Sequence, residues 1–195
     1  MKTIVWDIDD VLNDLLRRWF ETCWKKEHPG SLIRYEDISE NPPHKVLGIR
    51  ESDYLKSLDA FRLSAEAEEA KPDAAVLKWF NEEGAGYRHM ALTARPIRTF
   101  VPAVKWLMRH YGEWFQTIGF VPSKRDDEHP RQPDKTKADY LVWLGNADYF
   151  IDDLTGHVNS AAGLGIRAFL VSQPWNESEL GLAEILGIIS RENRG

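Results

Sequence analysis

Five short apolar runs constrain the fold of this chain more than any other feature: TIVWDI at 3–8, YRHMAL at 87–92, TIGFV at 117–121, DYFID at 148–152 and IRAFLV at 166–171. Each is too short for a buried helix and rich in β-branched or aromatic residues, so each reads as a strand. Between the later runs lie segments with helical spacing, at about 73–83, 98–110, 136–144 and 156–163, and a closing one at 178–190. Asp73 near the start of the first, and Gly84 and Gly86 just after it, are ordinary helix boundary signals. Strands that alternate with helices must run parallel and be covered on both faces. The expected architecture is therefore α/β, a doubly wound parallel sheet, and in such sheets ligands sit beyond the carboxyl ends of the strands.

One stretch breaks the alternation. A helix is expected over 12–27, with Leu12, Leu15, Leu16, Trp19, Phe20, Cys23 and Trp24 at helical spacing, and His28-Pro29-Gly30 ending it. Residues 30–71 then carry Pro42-Pro43, many charges and short amphipathic pieces at 51–58 and 64–70, with no clear strand. Residues 14–71 thus read as a helical insertion, and 1–13 with 72–195 as the α/β core. The charged, proline-rich segment 122–135 reads as a loop.

A length of 195 residues suffices to bury roughly two-thirds of the unfolded surface without covalent staples. The net charge of −6 argues against nucleic-acid polymers, which reward basic surfaces. It leaves small anionic substrates open, because one divalent cation can reverse the local field. The single cysteine, Cys23, permits no intramolecular disulfide, which fits a reducing compartment, and its aromatic setting marks it as a small buried apolar residue. The first apolar run is interrupted by Asp7, too early for a signal peptide, and no stretch approaches the about 20 apolar residues of a membrane span. The expected location is the cytoplasm, away from membranes.

The residues at the strand ends carry the chemistry. After the first strand come Asp7, Asp9 and Asp10; after the second, Thr93, Ala94 and Arg95; before the helix at 136, Lys135 and Lys137; and at the end of the fourth run, Asp152 and Asp153. Crowded carboxylates repel one another unless a cation sits among them. Magnesium suits that place, since it takes oxygen ligands while keeping waters and phosphate oxygens in its shell. Asp7 and Asp152 could ligate it, with Asp153 binding directly or through water. An Asp can also attack phosphorus to form an aspartyl-phosphate. Asp9, two residues on, can move the protons. Thr93 offers a hydroxyl, and neighbouring N–H groups near a helix start suit the phosphoryl oxygens.

In wording, WDIDDVL at 6–12, LTARP at 92–96, KADYL at 137–141 and YFIDD at 149–153 resemble, in order, the four motifs of the haloacid dehalogenase (HAD) superfamily of phosphohydrolases. The resemblance spans residues 6–153 and implies a HAD-like Rossmannoid core. It implies Asp7 as nucleophile and metal ligand, and Asp9 as general acid/base that lends its carbonyl to magnesium. Thr93, with Ala94 and Arg95 beside it, would bind the phosphoryl group; Lys137 would bridge the site, and Asp152 and Asp153 would hold the metal. The insertion falls where the superfamily places a helical cap that closes over the substrate. LTARP and KPDAAVLKWF look closest to the 5'(3')-deoxyribonucleotidase branch, which makes a nucleotide or another small phosphorylated metabolite the expected substrate. A phosphotransferase or mutase using the same intermediate, and an inert HAD-like binding module, are the alternatives. A receiver domain would carry its acceptor Asp on a middle strand, and a dehalogenase would not need Asp9.

Several residues admit two readings. Asp10 either caps the next helix or faces solvent. Arg95 either grips substrate or pairs with a surface acid. Lys135 and Lys124 compete with Lys137 for the bridging role. Trp19, Phe20 and Trp24 form either helical core or an aromatic wall for a planar substrate. His89 reads as structural, and His157, at a helix start just after the acid pair, either touches the site or takes no part in it.

Overall fold

The computed structural model describes residues 1–194 and contains one five-stranded sheet, all parallel, in the order β3-β2-β1-β4-β5. The strands are β1 (Lys2–Trp6), β2 (Tyr87–Arg95), β3 (Phe115–Pro122), β4 (Tyr149–Asp152) and β5 (Arg167–Leu170). Central β1 is buried along almost its whole length, as expected of a strand covered on both sides. Alternation sends Ile4 and Trp6 into one apolar cluster and Val5 into another.

The chain leaves β1 into α1 (Leu15–Trp19), passes a π-helical turn at Phe20–Trp24 and ends in α2 (Lys25–Glu27). Farther on come α3 (Glu51–Arg62) and α4 (Ala65–Glu68). The core helices are α5 (Ala74–Glu83), α6 (Phe100–Tyr111), α7 (Lys137–Leu144), α8 (Thr155–Gly163) and α9 (Leu182–Arg194). Asp73 caps α5 by accepting from the N–H groups of Ala75 and Val76. Helices α5, α6 and α9 supply Phe80, Leu107 and Ile185 to one face of the sheet, while α7 and α8 supply Leu141 and Ala161 to the other. The doubly wound expectation holds.

Residues between 15 and 61 build an apolar cluster of their own around Trp19, Phe20, Trp24, Tyr35, Tyr54 and Phe61. Trp19 donates to Ser57 Oγ at 3.0 Å, and Phe20 stacks on Trp24. These aromatics are helical core. Cys23 packs against this cluster but is only half-buried, short of the full burial expected. His89 is structural: Nδ1 accepts from Trp6 Nε1 at 3.2 Å and Nε2 bonds Gly84 O at 2.8 Å, with burial pulling its pKa down to about 4. Both contacts suit the neutral ring. No helix among the described residues is long and apolar enough to cross a membrane.

Candidate active site

The strand ends converge as parallel topology requires. β1 stops at Trp6, two residues short of the apolar run, so Asp7 is the first residue beyond it; its N–H still bonds Ile151 O at 2.9 Å. The turn that follows needs a residue with left-handed backbone, and Asp10 takes it at φ 59°, a conformation Asp tolerates better than most. That turn lets Asp10 Oδ1 accept from Leu16 N at 2.8 Å, satisfying an N–H at the start of α1. Asp10 thus tethers the start of α1, is buried rather than facing solvent, and lines the cavity described below.

Lys137 settles the choice among the lysines. Its Nζ lies 2.9 Å from Asp7 Oδ1 and 2.7 Å from Asp152 Oδ2, with the residue 1% exposed. Lys135 instead donates to the carbonyls of Pro130 and Gln132 in its own loop. The position of Lys137 is set by a capping box: Thr136 accepts from Asp139 N, and Asp139 accepts from the Thr136 and Lys135 N–H groups. Thr136→Ala is expected to cost about 1 kcal/mol of stability, read from the urea midpoint. An unchanged midpoint would show that the lysine is held by its ion pairs alone.

Asp152 is fully buried, with Lys137 on one oxygen and Leu154 N on the other, and His157 Nδ1 3.1 Å from Oδ1. His157 thus contacts the buried Asp152. Asp153 Oδ2 accepts from Trp175 Nε1 at 3.1 Å, and its carbonyl from Asn176 Nδ2 at 2.9 Å. Asp9 is gripped from two sides, by Arg95 at 2.5 Å and by Arg62 of α3 at 3.0 Å. Arg95 also donates to Thr93 Oγ1 and to Thr99 O. Arg95 is 3% exposed and is paired to a buried acid, not to a surface one as its second reading had it. Its donors are committed inward and it is not among the residues that line the cavity, whereas Thr93 and Ala94 are, as the two residues before the last of β2 rather than beyond its end.

A cavity of about 540 Å³ opens over this cluster. Asp7, Asp9, Thr93, Lys137 and Asp153 form its floor, and Leu16, Tyr54, Leu55 and Leu58 of the insertion roof it. Trp19, Phe20 and Trp24 take no part in the lining.

Charge in the cluster is unbalanced. Burial pushes Asp7 up to about 6, Lys137 opposing it while Asp152 and Asp9 add to the rise. Asp10 and Asp153 are driven well above the carboxylate range, first by burial and then by neighbouring acids. Asp152 suffers the same burial, but Lys137 and His157 outweigh it and hold its pKa down. Asp9 is likewise held low by Arg95 and Arg62 against burial. Five buried carboxylates therefore meet three cationic side chains, Lys137, Arg95 and Arg62. Asp7, Asp152 and Asp153 each offer an oxygen, all within 4.8 Å of one another. An all-oxygen donor set with a deficit of positive charge fits magnesium.

Sequence reasoning missed Asp59, Arg62 and Arg125. Asp59 is 3% exposed and accepts from Arg62 at 3.2 Å, Arg98 at 3.0 Å and Arg125 at 2.7 Å. On the sequence Asp59 and Arg62 look like a solvated pair one helical turn apart, and nothing local marks their burial. Trp175 and Asn176 were also missed, although they follow β5 and the strand-end rule pointed there.

By sequence, no protein-family model and no curated protein matches the chain. Its structure is similar to that of a haloacid dehalogenase-like family protein from Streptococcus pneumoniae, with 17% identity, a TM-score of 0.65 and 98% of each chain covered. It is also similar to a HAD-superfamily hydrolase of subfamily IA from Geobacter sulfurreducens, at 12% identity and TM-score 0.57 over 97% of this chain and 96% of that one. A protein provisionally named beta-phosphoglucomutase from Thermotoga maritima gives 19% identity and TM-score 0.56 over 98% and 99%. The chain has the α/β fold of the HAD-like hydrolases. Nothing in these likenesses favours the deoxyribonucleotidase branch.

Proposed function

We propose that the protein is a magnesium-dependent phosphomonoester hydrolase working through an aspartyl-phosphate on Asp7. The observation that carries this reading is Lys137 bridging Asp7 and Asp152 at the floor of a cavity, with Asp9 and Thr93 beside them. A HAD-like fold accommodates that arrangement.

Asp7, Asp152 and Asp153 would hold the ion, with Asp9 adding its carbonyl; when bound, it supplies positive charge to the phosphoryl oxygens. Asp7 attacks phosphorus through one carboxylate oxygen, and the ester P–O bond breaks as the leaving oxygen takes, by way of Asp9, the proton that the phosphomonoester monoanion brings. Water then attacks phosphorus, Asp9 takes its proton, and the bond to Asp7 breaks to release phosphate. Lys137 keeps Asp7 oriented and offsets the charge of the transferring group. Thr93 and the Ala94 backbone receive the phosphoryl oxygens. With Arg95 and Arg62 on its carboxylate, Asp9 is in the unprotonated form that the second half-reaction needs. Residues 14–71 act as the cap, and their leucines and Tyr54 exclude bulk water during transfer.

The substrate class is a small phosphorylated metabolite. A phosphotransferase would share the first half-reaction but pass the group to an acceptor other than water. The inert-module alternative is disfavoured, because each motif position holds a residue competent for its role. Purified protein with magnesium is expected to release phosphate from p-nitrophenyl phosphate and from some members of a phosphometabolite panel. Chelation is expected to suppress release and to lower the thermal midpoint. Inertness across the panel, with no effect of magnesium on the midpoint, would contradict the reading.

A further inference from the structure

Of the three acids that would hold the ion, Asp153 is held differently from the other two. Asp7 and Asp152 share the ammonium of Lys137, at 2.9 and 2.7 Å. Asp153 lies between the end of β4 and the start of α8, and among the described residues it makes no ion pair, although it is buried. A neutral donor stands where the others have a cation: Trp175 Nε1 donates to Asp153 Oδ2 at 3.1 Å. An indole N–H only donates, so the bond fixes that oxygen as an acceptor and with it the rotation of the carboxylate.

The indole is itself braced. Residues 173–176 form a turn after β5, closed by Asn176 N–H on the Gln173 carbonyl at 3.1 Å. Asn176 Nδ2 ties this turn to the carbonyls of Asp153 and Val171, each at 2.9 Å. Gln173 donates to the Asp10 carbonyl at 2.8 Å and accepts from the Tyr35 hydroxyl at 3.3 Å. The Trp175 ring stands edge-on to Tyr35, with centroids 6.2 Å apart, and packs against the aromatic cluster of residues 15–61. One short turn thus holds the strand-end acids on one side and that cluster on the other. The hydrolytic steps use none of these contacts. Groups that hydrogen-bond a metal's ligands set how those ligands are aimed, and losing one typically costs about 10–100-fold in metal affinity.

We propose that Trp175 is a positioning residue for the ion: its N–H aims the Asp153 carboxylate toward the space shared with Asp7 and Asp152, while Tyr35 and the 173–176 turn hold the indole in place. This rests on the hydrolase reading for the ion itself, but binding tests it without turnover. Trp175 does not touch the reacting atoms. It acts through Asp153, and its loss is felt as weaker metal binding.

The probe is magnesium alone, titrated calorimetrically into the full chain. Trp175→Phe keeps a ring against Tyr35 and removes the donor. The variant is expected to bind magnesium at least about tenfold more weakly than the wild type, and a cooperative urea transition in chelator checks that it folds. A second measurement needs no variant. In the isotope-labelled wild type, the Trp175 indole N–H resonance should move on adding magnesium, because its acceptor becomes a ligand. Those of Trp79 and Trp106, which bond Ser190 Oγ and the Ala70 carbonyl, should move less. Equal magnesium affinity in a folded variant, or a Trp175 signal that stays in place at saturating magnesium, overturns the proposal and leaves the hydrolase reading standing. A wild type that binds no magnesium overturns both.

Discussion

Asp7→Asn is expected to reduce phosphate release by at least about a thousandfold, the scale on which enzymes lose turnover when a covalent nucleophile is removed. The amide cannot form the acyl-phosphate, yet it is nearly the same shape, and its oxygen can still accept from Ile8 N, now 2.7 Å from Asp7 Oδ1. The substitution also removes a negative charge from a cluster where burial and like charge already push Asp7 up to about 6. Stability without magnesium should therefore hold or rise while activity vanishes. Urea unfolding in chelator and steady-state phosphate release check the two halves together. A variant that keeps a tenth of its activity would remove Asp7 from the nucleophile's role.

Lys137→Met is expected to act on fold and activity at once. Methionine approximates the volume of the buried stem, so packing changes little, but Asp7 and Asp152 lose the cation that joins them at 2.9 and 2.7 Å. Breaking a buried ion pair from one side costs on the order of 3–5 kcal/mol. Part of that cost should disappear by protonation of the stranded acids and part on adding magnesium, which binds the folded cluster selectively. The magnesium-dependent gain in stability should be larger in the variant than in the wild type. Turnover should fall by roughly two to three orders of magnitude, as when a preorganised charge is removed from a transition state. Urea titrations with chelator and with magnesium give the comparison. Equal midpoints for variant and wild type in chelator would mean that the lysine does not balance these carboxylates.

How much of this was legible beforehand follows from where each residue gets its meaning. The strands were readable because a parallel sheet covered on both faces demands unbroken apolar runs, as in IVW of β1 and YFI of β4. Once those runs were placed, Asp7, Thr93 and Asp152 had to share one edge. Helix starts were readable where a side chain caps them, as Asp73 does for α5 and Thr136 for α7. The insertion was harder. Helix α3 runs to Arg62, past the amphipathic piece expected at 51–58, because Leu58 and Phe61 bury against neighbours remote in sequence. The Asp59 network was invisible for the same reason, since its partners Arg98 and Arg125 lie 39 and 66 residues away. The inward turn of Arg95 likewise depends on Asp9, 86 residues earlier.

Covalent chemistry at Asp7 is tested most directly by acid-quenching the protein during turnover of a phosphomonoester and locating the phosphoryl group by peptide mass spectrometry, with borohydride reduction to confirm an acyl-phosphate. One phosphoryl group on Asp7, reduced to homoserine at that position, is the predicted result. A labelled Asp9, Asp152 or His157, or phosphate released with no enzyme-bound phosphoryl group even in rapid quench, would contradict it.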